Sequence, residues 1–239
     1  MESGNKYSIN VKIDIFLFNV MLVALEVMGI KRAFKYSYRT LRFYTTDSNI
    51  LLCVTSFVMA ITALVCIIYK CDIPKSVLIF KYFSVCCITM TFVIVLAVLL
   101  PGKVSKGYGI HIMYKGAQIY HHTLCPFIAI ITYIFVEKKD KFDKIFIKLA
   151  YVPTIIYGIV IVYLNLKGRV LGPYPFLKVT KQPVYESVKW GIIIFLVASA
   201  INTVMYLARH PMKNPEKIKE YTYRALVFSY GKIKAFYEE

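Results

Sequence analysis

The sequence predicts an all-α integral membrane protein with about six transmembrane helices in one bundle. Hydrophobic residues make up 58% of the 239 residues, which is more apolar surface than a soluble domain of this length can bury. They come in continuous runs of about twenty residues, the length that a helix needs to cross a hydrocarbon core of about 30 Å. The runs do not alternate at every second residue, so helices are favoured over a β-barrel.

The apolar runs place the six helices in order along the chain. They cover Ile13–Ile30, Ser48–Tyr69, Ser76–Leu100, Ala117–Val136, Ile145–Leu166 and Val188–Ala208. Residues 1–209 are therefore predicted to form one transmembrane domain. An even number of spans puts both termini on one side of the membrane, and the distribution of Lys and Arg favours the cytoplasmic side.

The chain has a formal net charge of +17, and its Lys and Arg residues lie mostly in the segments between the apolar runs. In a membrane protein such charges orient the helices and attract anionic headgroups. We therefore expect membrane lipids as partners and no nucleic acid. Residues 210–239 form a basic tail whose apolar residues recur at spacings of three and four, which suits either a helix on the membrane surface or a loosely ordered segment.

Polar residues within the spans are costly and therefore informative. Asp14, Asn19 and Glu26 lie in the first span, and the seven-residue spacing of Asn19 and Glu26 puts them on one face. One interpretation is hydrogen bonding between helices, which also suits Asn165 and Asn202. The alternative is a small transporter or channel subunit in which Glu26 and Asp14 line a polar path.

The second span opens with Thr45, Asp47, Ser48 and Asn49. On a helix Thr45, Ser48 and Asn49 line one face, as a candidate nucleophile and its supporting groups would. The competing interpretation is that the hydroxyl groups bond their own backbone, with Asp47 and Asn49 at the cap and interface of the helix.

The fourth span contains Gln118, His121, His122 and Pro126. Pro126 cannot donate to the carbonyl of His122, so we expect an interrupted helix there. Gln118, one turn earlier, could orient the His122 ring by a hydrogen bond. The two histidines point about 100° apart on an α-helix, so we expect only one of them to face the bundle interior.

The topology brings a third segment to the same membrane face as Thr45 and His122. The connection between the last two spans contains Pro173, Tyr174, Pro175 and Phe176, and its prolines and aromatic rings suit a stiff segment that packs back over the bundle. A hydroxyl, an imidazole and a candidate lid are the parts of a nucleophilic hydrolase site.

Short motifs in these segments resemble the androgen-induced and androgen-dependent membrane hydrolase superfamily, and its bacterial members in particular. The resemblance rests on Tyr44–Asn49, His121–Pro126 and Pro173–Leu177, and the Pro153–Tyr157 stretch before Asn165 also fits. It implies a six-span fold in a bacterial cytoplasmic membrane, with a threonine nucleophile, a histidine base and fatty acid esters as substrates. By position the nucleophile is Thr45.

The base that this resemblance implies is His122, four residues before Pro126 as in the bacterial-type pattern, or else His121, which follows the animal-type spacing. A transporter subunit and a non-catalytic membrane scaffold remain the alternatives to a hydrolase. No cofactor or metal is expected, because the histidines lack partners at ligand spacing and no glycine-rich phosphate loop follows a strand.

Overall fold

A computed structural model describes residues 7–35, 37–105, 107, 110–137 and 142–209. Six long helices follow one another in these ranges: α1 (Ile9–Phe34), α2 (Tyr44–Ile68), α3 (Lys75–Val104), α4 (Tyr120–Val136), α5 (Ile145–Leu166) and α6 (Val184–Arg209). The described residues form no strand. The basic tail, residues 210–239, lies outside the described residues.

The predicted membrane fold is confirmed. All of these helices except α4 are long and apolar enough to cross a membrane, and α4 lies at the short end of the range for a spanning helix. The chain is therefore a multi-pass helical membrane protein. Most helices extend a few residues beyond their predicted apolar limits; α2 begins at Tyr44, which places Thr45 in its first turn.

Three helices depart from regular α-helical geometry, each of them close to a proline. In α3 a π-helical turn at Val95–Leu99 comes just before Pro101. In α4 such turns occupy Tyr120–Leu124 and Thr132–Val136, and α5 is broken between Leu149 and Val152. The interruption expected near Pro126 thus takes the form of a π-helical turn, which accommodates the lost backbone donor by shifting the bonding pattern.

The bundle is built around the first four helices. α1 packs against α2 and α4, and α2 packs against α3. α6 contacts α3, α4 and the first turn of α5. The core between them contains buried apolar side chains such as Ile15, Leu52 and Val85.

The outer surface of the bundle is apolar, as a lipid-facing surface must be. Along α5, Ile155, Ile156, Ile159 and Leu166 are each at least half exposed, and α6 exposes a similar row that includes Phe195 and Leu196. A soluble protein rarely leaves contiguous apolar faces of this kind in water. In a bilayer they contact acyl chains at no cost.

Candidate active site

Thr45 lies in the first turn of α2, where backbone N–H groups have no partner within the helix. The hydroxyl of Tyr174 supplies that partner: it accepts a hydrogen bond from the Thr45 N–H (3.3 Å) and shares a second with Thr45 Oγ1 (3.2 Å). Thr45 is only 8% exposed. The predicted meeting of Thr45 with the connection between the last two spans is therefore present in the structure.

The segment that carries Tyr174 is held in place at both sides. The Tyr174 ring stacks on Phe176 at 5.2 Å, and Phe176 stacks on Trp190 of α6 at 5.1 Å. On the other side, Phe43 meets Tyr174 edge to face at 5.8 Å. A Cβ atom at Gly172 would overlap the carbonyl of Leu177, so the segment closes tightly on itself. These contacts fix the Tyr174 hydroxyl over the N-terminus of α2.

The polar residues beside Thr45 support the first turn of α2. Ser48 Oγ donates to the Thr45 carbonyl (3.1 Å) and bonds Thr91 Oγ1 of α3 (2.8 Å). Asn49 Nδ2 donates to the same carbonyl at 2.6 Å. Asp47 is half-buried and faces a different groove, described below. Ser48 and Asn49 therefore bond the backbone of their own helix, as the competing interpretation predicted for the hydroxyl groups, and these bonds hold the Thr45 carbonyl in position.

Thr45 lines a small cavity of about 80 Å³ between α2, α3, α5 and the Tyr174 segment. The other walls are mostly apolar, with Met90, Ile94 and Leu99 from α3 and Phe176 from the connection. The cavity has room for a short apolar group next to the Thr45 hydroxyl. His121 and His122, both of which the structure describes, are not among its walls.

A larger groove of about 680 Å³ lies on the other side of Tyr44, between α2 and α5. Tyr44 and Tyr157, whose rings meet at 5.1 Å, line both this groove and the small cavity. The walls of the groove are largely aliphatic. Three arginines, Arg39, Arg42 and Arg169, lie along it, and among the described residues Asp47 is the one carboxylate that lines it. Its volume is in the range of small-molecule binding sites, and its charge suits an anionic group.

The two histidines lie in the π-helical turn Tyr120–Leu124 at the start of α4, where the Cys125 N–H donates to the Tyr120 carbonyl five residues earlier. Both His121 and His122 are buried. The expectation that only one of them faces inward is wrong, because it assumed α-helical geometry. A π-helical turn has more residues per turn, so consecutive side chains diverge less, and α1, α2 and α3 all pack against it.

His121 lies against α1 at Gly29. A Cβ atom at Gly29 would come within 2.8 Å of His121 Nε2, and among the described residues this nitrogen has no hydrogen-bond partner. Gln118, predicted to orient His122, is half-buried just before the π-helical turn, and its backbone N–H donates to the Lys115 carbonyl at 3.2 Å. The catalytic roles of Thr45 and of either histidine remain predictions.

The structure also separates the polar residues of the first span. Asn19 and Glu26 are buried and share a face, as their spacing predicted, whereas Asp14 is exposed on the outside of α1. A polar path lined by both carboxylates is therefore not formed. Asn202 donates to the Ile147 carbonyl at 3.4 Å, which is the kind of bond between helices expected of it.

Sequence reasoning missed a group of buried charges near the face where α1 begins: Lys12, Lys81, Glu137 and Arg209. Lys81 lies inside the third apolar run and was the clearest indication available, since a charge there needs a buried partner. Lys12, Glu137 and Arg209 lie at helix ends, where charges are ordinarily solvated, and only the packing of the bundle shows that they are covered.

Comparison with protein-family models, curated proteins and solved structures finds no match to this chain. Within the described ranges, no three His, Cys, Asp or Glu side chains are close enough together to hold a metal ion.

Proposed function

We propose that the protein is an intramembrane hydrolase of lipid esters, with Thr45 as the nucleophile and His122 as the general base. The observation that carries the proposal is the environment of the Thr45 hydroxyl, which is buried at a helix N-terminus, bonded to a tyrosine at 3.2 Å and next to an apolar cavity. A hydroxyl needs a base to become nucleophilic, and the buried histidines of α4 belong to a turn that packs against α2.

The reaction would proceed by acyl transfer. His122 would take the proton of the Thr45 hydroxyl while its oxygen attacks the ester carbonyl, and would then return that proton to the departing alcohol. Thr45 would be left acylated. Water, deprotonated by the same histidine, would attack the acyl group and release a fatty acid. His121 is the alternative base.

The hydrogen bond between the Thr45 N–H and the Tyr174 hydroxyl suggests how the negative charge that develops on the ester carbonyl oxygen is stabilised. The Thr45 N–H points out of the first turn of α2 towards the Tyr174 hydroxyl. A carbonyl oxygen placed between them would receive one hydrogen bond from the N–H and a second from the phenol, aided by the positive end of the helix dipole. In this proposal Tyr174 positions Thr45 and donates a hydrogen bond to the oxyanion.

The larger groove supports a lipid as substrate. An acyl chain suits its aliphatic walls, and an anionic headgroup suits the arginines Arg39, Arg42 and Arg169. Tyr44 and Tyr157 separate this groove from Thr45, so a substrate lying in the groove would reach Thr45 once their side chains turn aside. The groove thus favours amphiphilic esters over small soluble ones.

The proposal is tested by ester hydrolysis and by labelling with a fluorophosphonate probe in detergent. Wild type should hydrolyse long-chain esters and bind the probe, and Thr45→Ala should do neither. Thr46→Ala is the matched control, because the neighbouring Thr46 is also buried but bonds Thr40 (2.9 Å) and does not line the cavity. Full labelling of Thr45→Ala, or no activity in wild type, would refute the role of Thr45.

Two histidine variants complete the experiment. His122→Ala should lose hydrolysis to the same extent as Thr45→Ala if His122 is the base, whereas His121→Ala should retain it. The opposite result would assign the base to His121. Retention of activity by both variants would exclude a histidine base and, with it, the proposed mechanism.

We also propose that the protein lies in a bacterial cytoplasmic membrane with both termini in the cytoplasm. The Lys and Arg distribution supports this orientation. Single cysteines introduced at residues 3 and 239 of a cysteine-free variant should resist impermeant maleimides in intact cells and react after permeabilisation. Reaction in intact cells would reverse the orientation.

A further inference from the structure

The buried face of α1 carries a polar residue at every seventh position. Lys12, Asn19 and Glu26 lie on this face, and both Asn19 and Glu26 are 0% exposed. At about 1.5 Å per residue, the three positions cover roughly 21 Å along the helix, a large part of a hydrocarbon core of about 30 Å. Ionisable groups are expensive at such depth and commonly mark routes for ions or protons.

Each of the first two positions is joined to another part of the bundle. Lys12 Nζ donates to the Cys71 carbonyl at 2.7 Å, close to the end of α2. Asn19 accepts a hydrogen bond from Lys81 Nζ of α3 (2.7 Å) and donates one to Glu137 Oε1 at the end of α4 (3.0 Å). These bonds join Asn19, Lys81 and Glu137 into a polar chain near the membrane face where α1 begins, and Lys12 lies closer still to the start of that helix.

Lys81 lies at the centre of this chain. It is 0% exposed, and besides Asn19 its ammonium group donates to Ser56 Oγ of α2 at 2.6 Å. The charged side chains that act on it are the carboxylates of Glu137 and Glu26, with the Cys53 thiol as the other ionisable neighbour. A buried ammonium between two carboxylates can pass a proton to one side and regain it from the other.

Glu26 continues the chain towards the opposite face. Neither of its carboxylate oxygens meets the geometry of a hydrogen bond with any described residue. The ionisable groups around it are Cys125 of α4, Lys81 of α3 and Cys53 of α2. A buried carboxylate needs protonation, hydration or a nearby cation to offset its burial, and with the Lys81 ammonium and the Cys125 thiol as its neighbours Glu26 is placed to exchange a proton.

One turn beyond Glu26 on the same face is Gly29, and the absence of a side chain there lets His121 pack directly on α1. His121 Nε2 is buried without a hydrogen-bond partner among the described residues. Glu26 and Gly29, the position at which His121 packs, are therefore about one helical turn apart, roughly 5 Å along the axis of α1. Proton transfer between the Glu26 and His121 side chains would run through water held between them.

We propose that Lys81, Glu137, Asn19, Glu26 and His121 form a proton-conducting column through the bundle, which joins the membrane face where α1 begins to the face of the candidate active site. Asn19 acts in it by orienting its neighbours, and the ionisable groups carry the proton. This activity is separate from ester hydrolysis, since no residue of the column other than His121 belongs to the proposed catalytic groups.

The test uses the full-length protein reconstituted in liposomes that contain the pH indicator pyranine. A potassium gradient with valinomycin makes the interior negative, and the rate of internal acidification measures proton entry. Wild-type vesicles should acidify several-fold faster than protein-free vesicles. Glu26→Gln, which keeps the shape of the side chain and removes the proton carrier, should lower the protein-dependent rate roughly tenfold or more.

Two control variants separate this proposal from its alternatives. Asp14→Asn removes a carboxylate from the exposed side of the same helix and should conduct like wild type. Thr45→Ala should also conduct like wild type although it loses hydrolysis, so the two proposals can fail independently. Monodispersity in size-exclusion chromatography shows whether Glu26→Gln is folded; if it is not, Lys81→Met is measured in its place and should also conduct slowly.

The column is refuted if wild-type and protein-free vesicles acidify at the same rate, a comparison that requires no variant. It is equally refuted if folded Glu26→Gln conducts like wild type. A loss of flux in Asp14→Asn as large as that in Glu26→Gln would also overturn it, since the protons would then not follow the buried face of α1.

Discussion

The close contact between α1 and the histidine turn of α4 can be tested at Gly29. A Cβ atom at this position would come within 2.8 Å of both His121 Nε2 and the Cβ atom of Tyr120. Neither atom can move without shifting the backbone or a buried ring, so Gly29→Ala should overpack the interface. Overpacking of this kind destabilises a protein by about 1–3 kcal/mol.

The matched control is Gly191 of α6, where an added Cβ atom would meet nothing within 4 Å. Alanine there should leave stability unchanged or raise it by about 0.4–1 kcal/mol, because glycine is costly in a helix. Thermal unfolding in detergent should therefore show Gly29→Ala melting about 2–12 °C below wild type. If Gly29→Ala is as stable as Gly191→Ala, the helices are not in contact at this point and the column loses its link to His121.

Further predictions concern the buried polar bonds. Asn19→Ala should destabilise the protein by about 1.5–3 kcal/mol, because it leaves the ammonium of Lys81 without one of its acceptors, whereas Asn10→Ala, on the exposed side of α1, should change thermal unfolding little. Tyr174→Phe should cost about 1 kcal/mol through the lost bonds to Thr45 and should slow hydrolysis more than it raises KM. Burial raises the pKa of Tyr174 above its ordinary value of 10.0. The stability that its protonated hydroxyl contributes should therefore be fully present below about pH 10 and lost at higher pH. Unfolding measured against pH in wild type and in Tyr174→Phe gives this contribution as the difference between the two curves.

The helical bundle and one contact of the candidate site could be predicted from the sequence. Apolar runs of spanning length define the helices, and their alternating direction places Thr45 and the Tyr174 connection on one face, where the structure joins their hydroxyl groups at 3.2 Å. This prediction needed only the order and direction of the helices, and both follow from local composition.

The geometry of the histidines could not be predicted in the same way. The spacing of Pro126 predicts an interruption, but it does not determine whether the helix kinks or forms a π-helical turn. The structure has the π-helical turn, and both His121 and His122 are buried in it. The angle between neighbouring side chains depends on that choice. A sequence pattern with an assumed period of 3.6 residues therefore gives the wrong orientation here.

The buried charges depend on packing even more strongly. Lys81 interrupts an apolar run and could have been recognised as buried, but its partners come from three other helices. Glu137 follows the end of α4 and resembles an ordinary surface carboxylate in the sequence. Its burial results from the way α1 and α4 pack at that face, which no single segment encodes.

The most direct test of the proposed hydrolase is to locate the covalent adduct of a fluorophosphonate on the wild-type protein. After labelling, proteolysis and tandem mass spectrometry should place the phosphonate on Thr45, within the peptide that begins α2. Prior incubation with a long-chain ester should reduce its formation. An adduct on another residue, or the absence of any adduct on active protein, would contradict the assignment of Thr45 as the nucleophile.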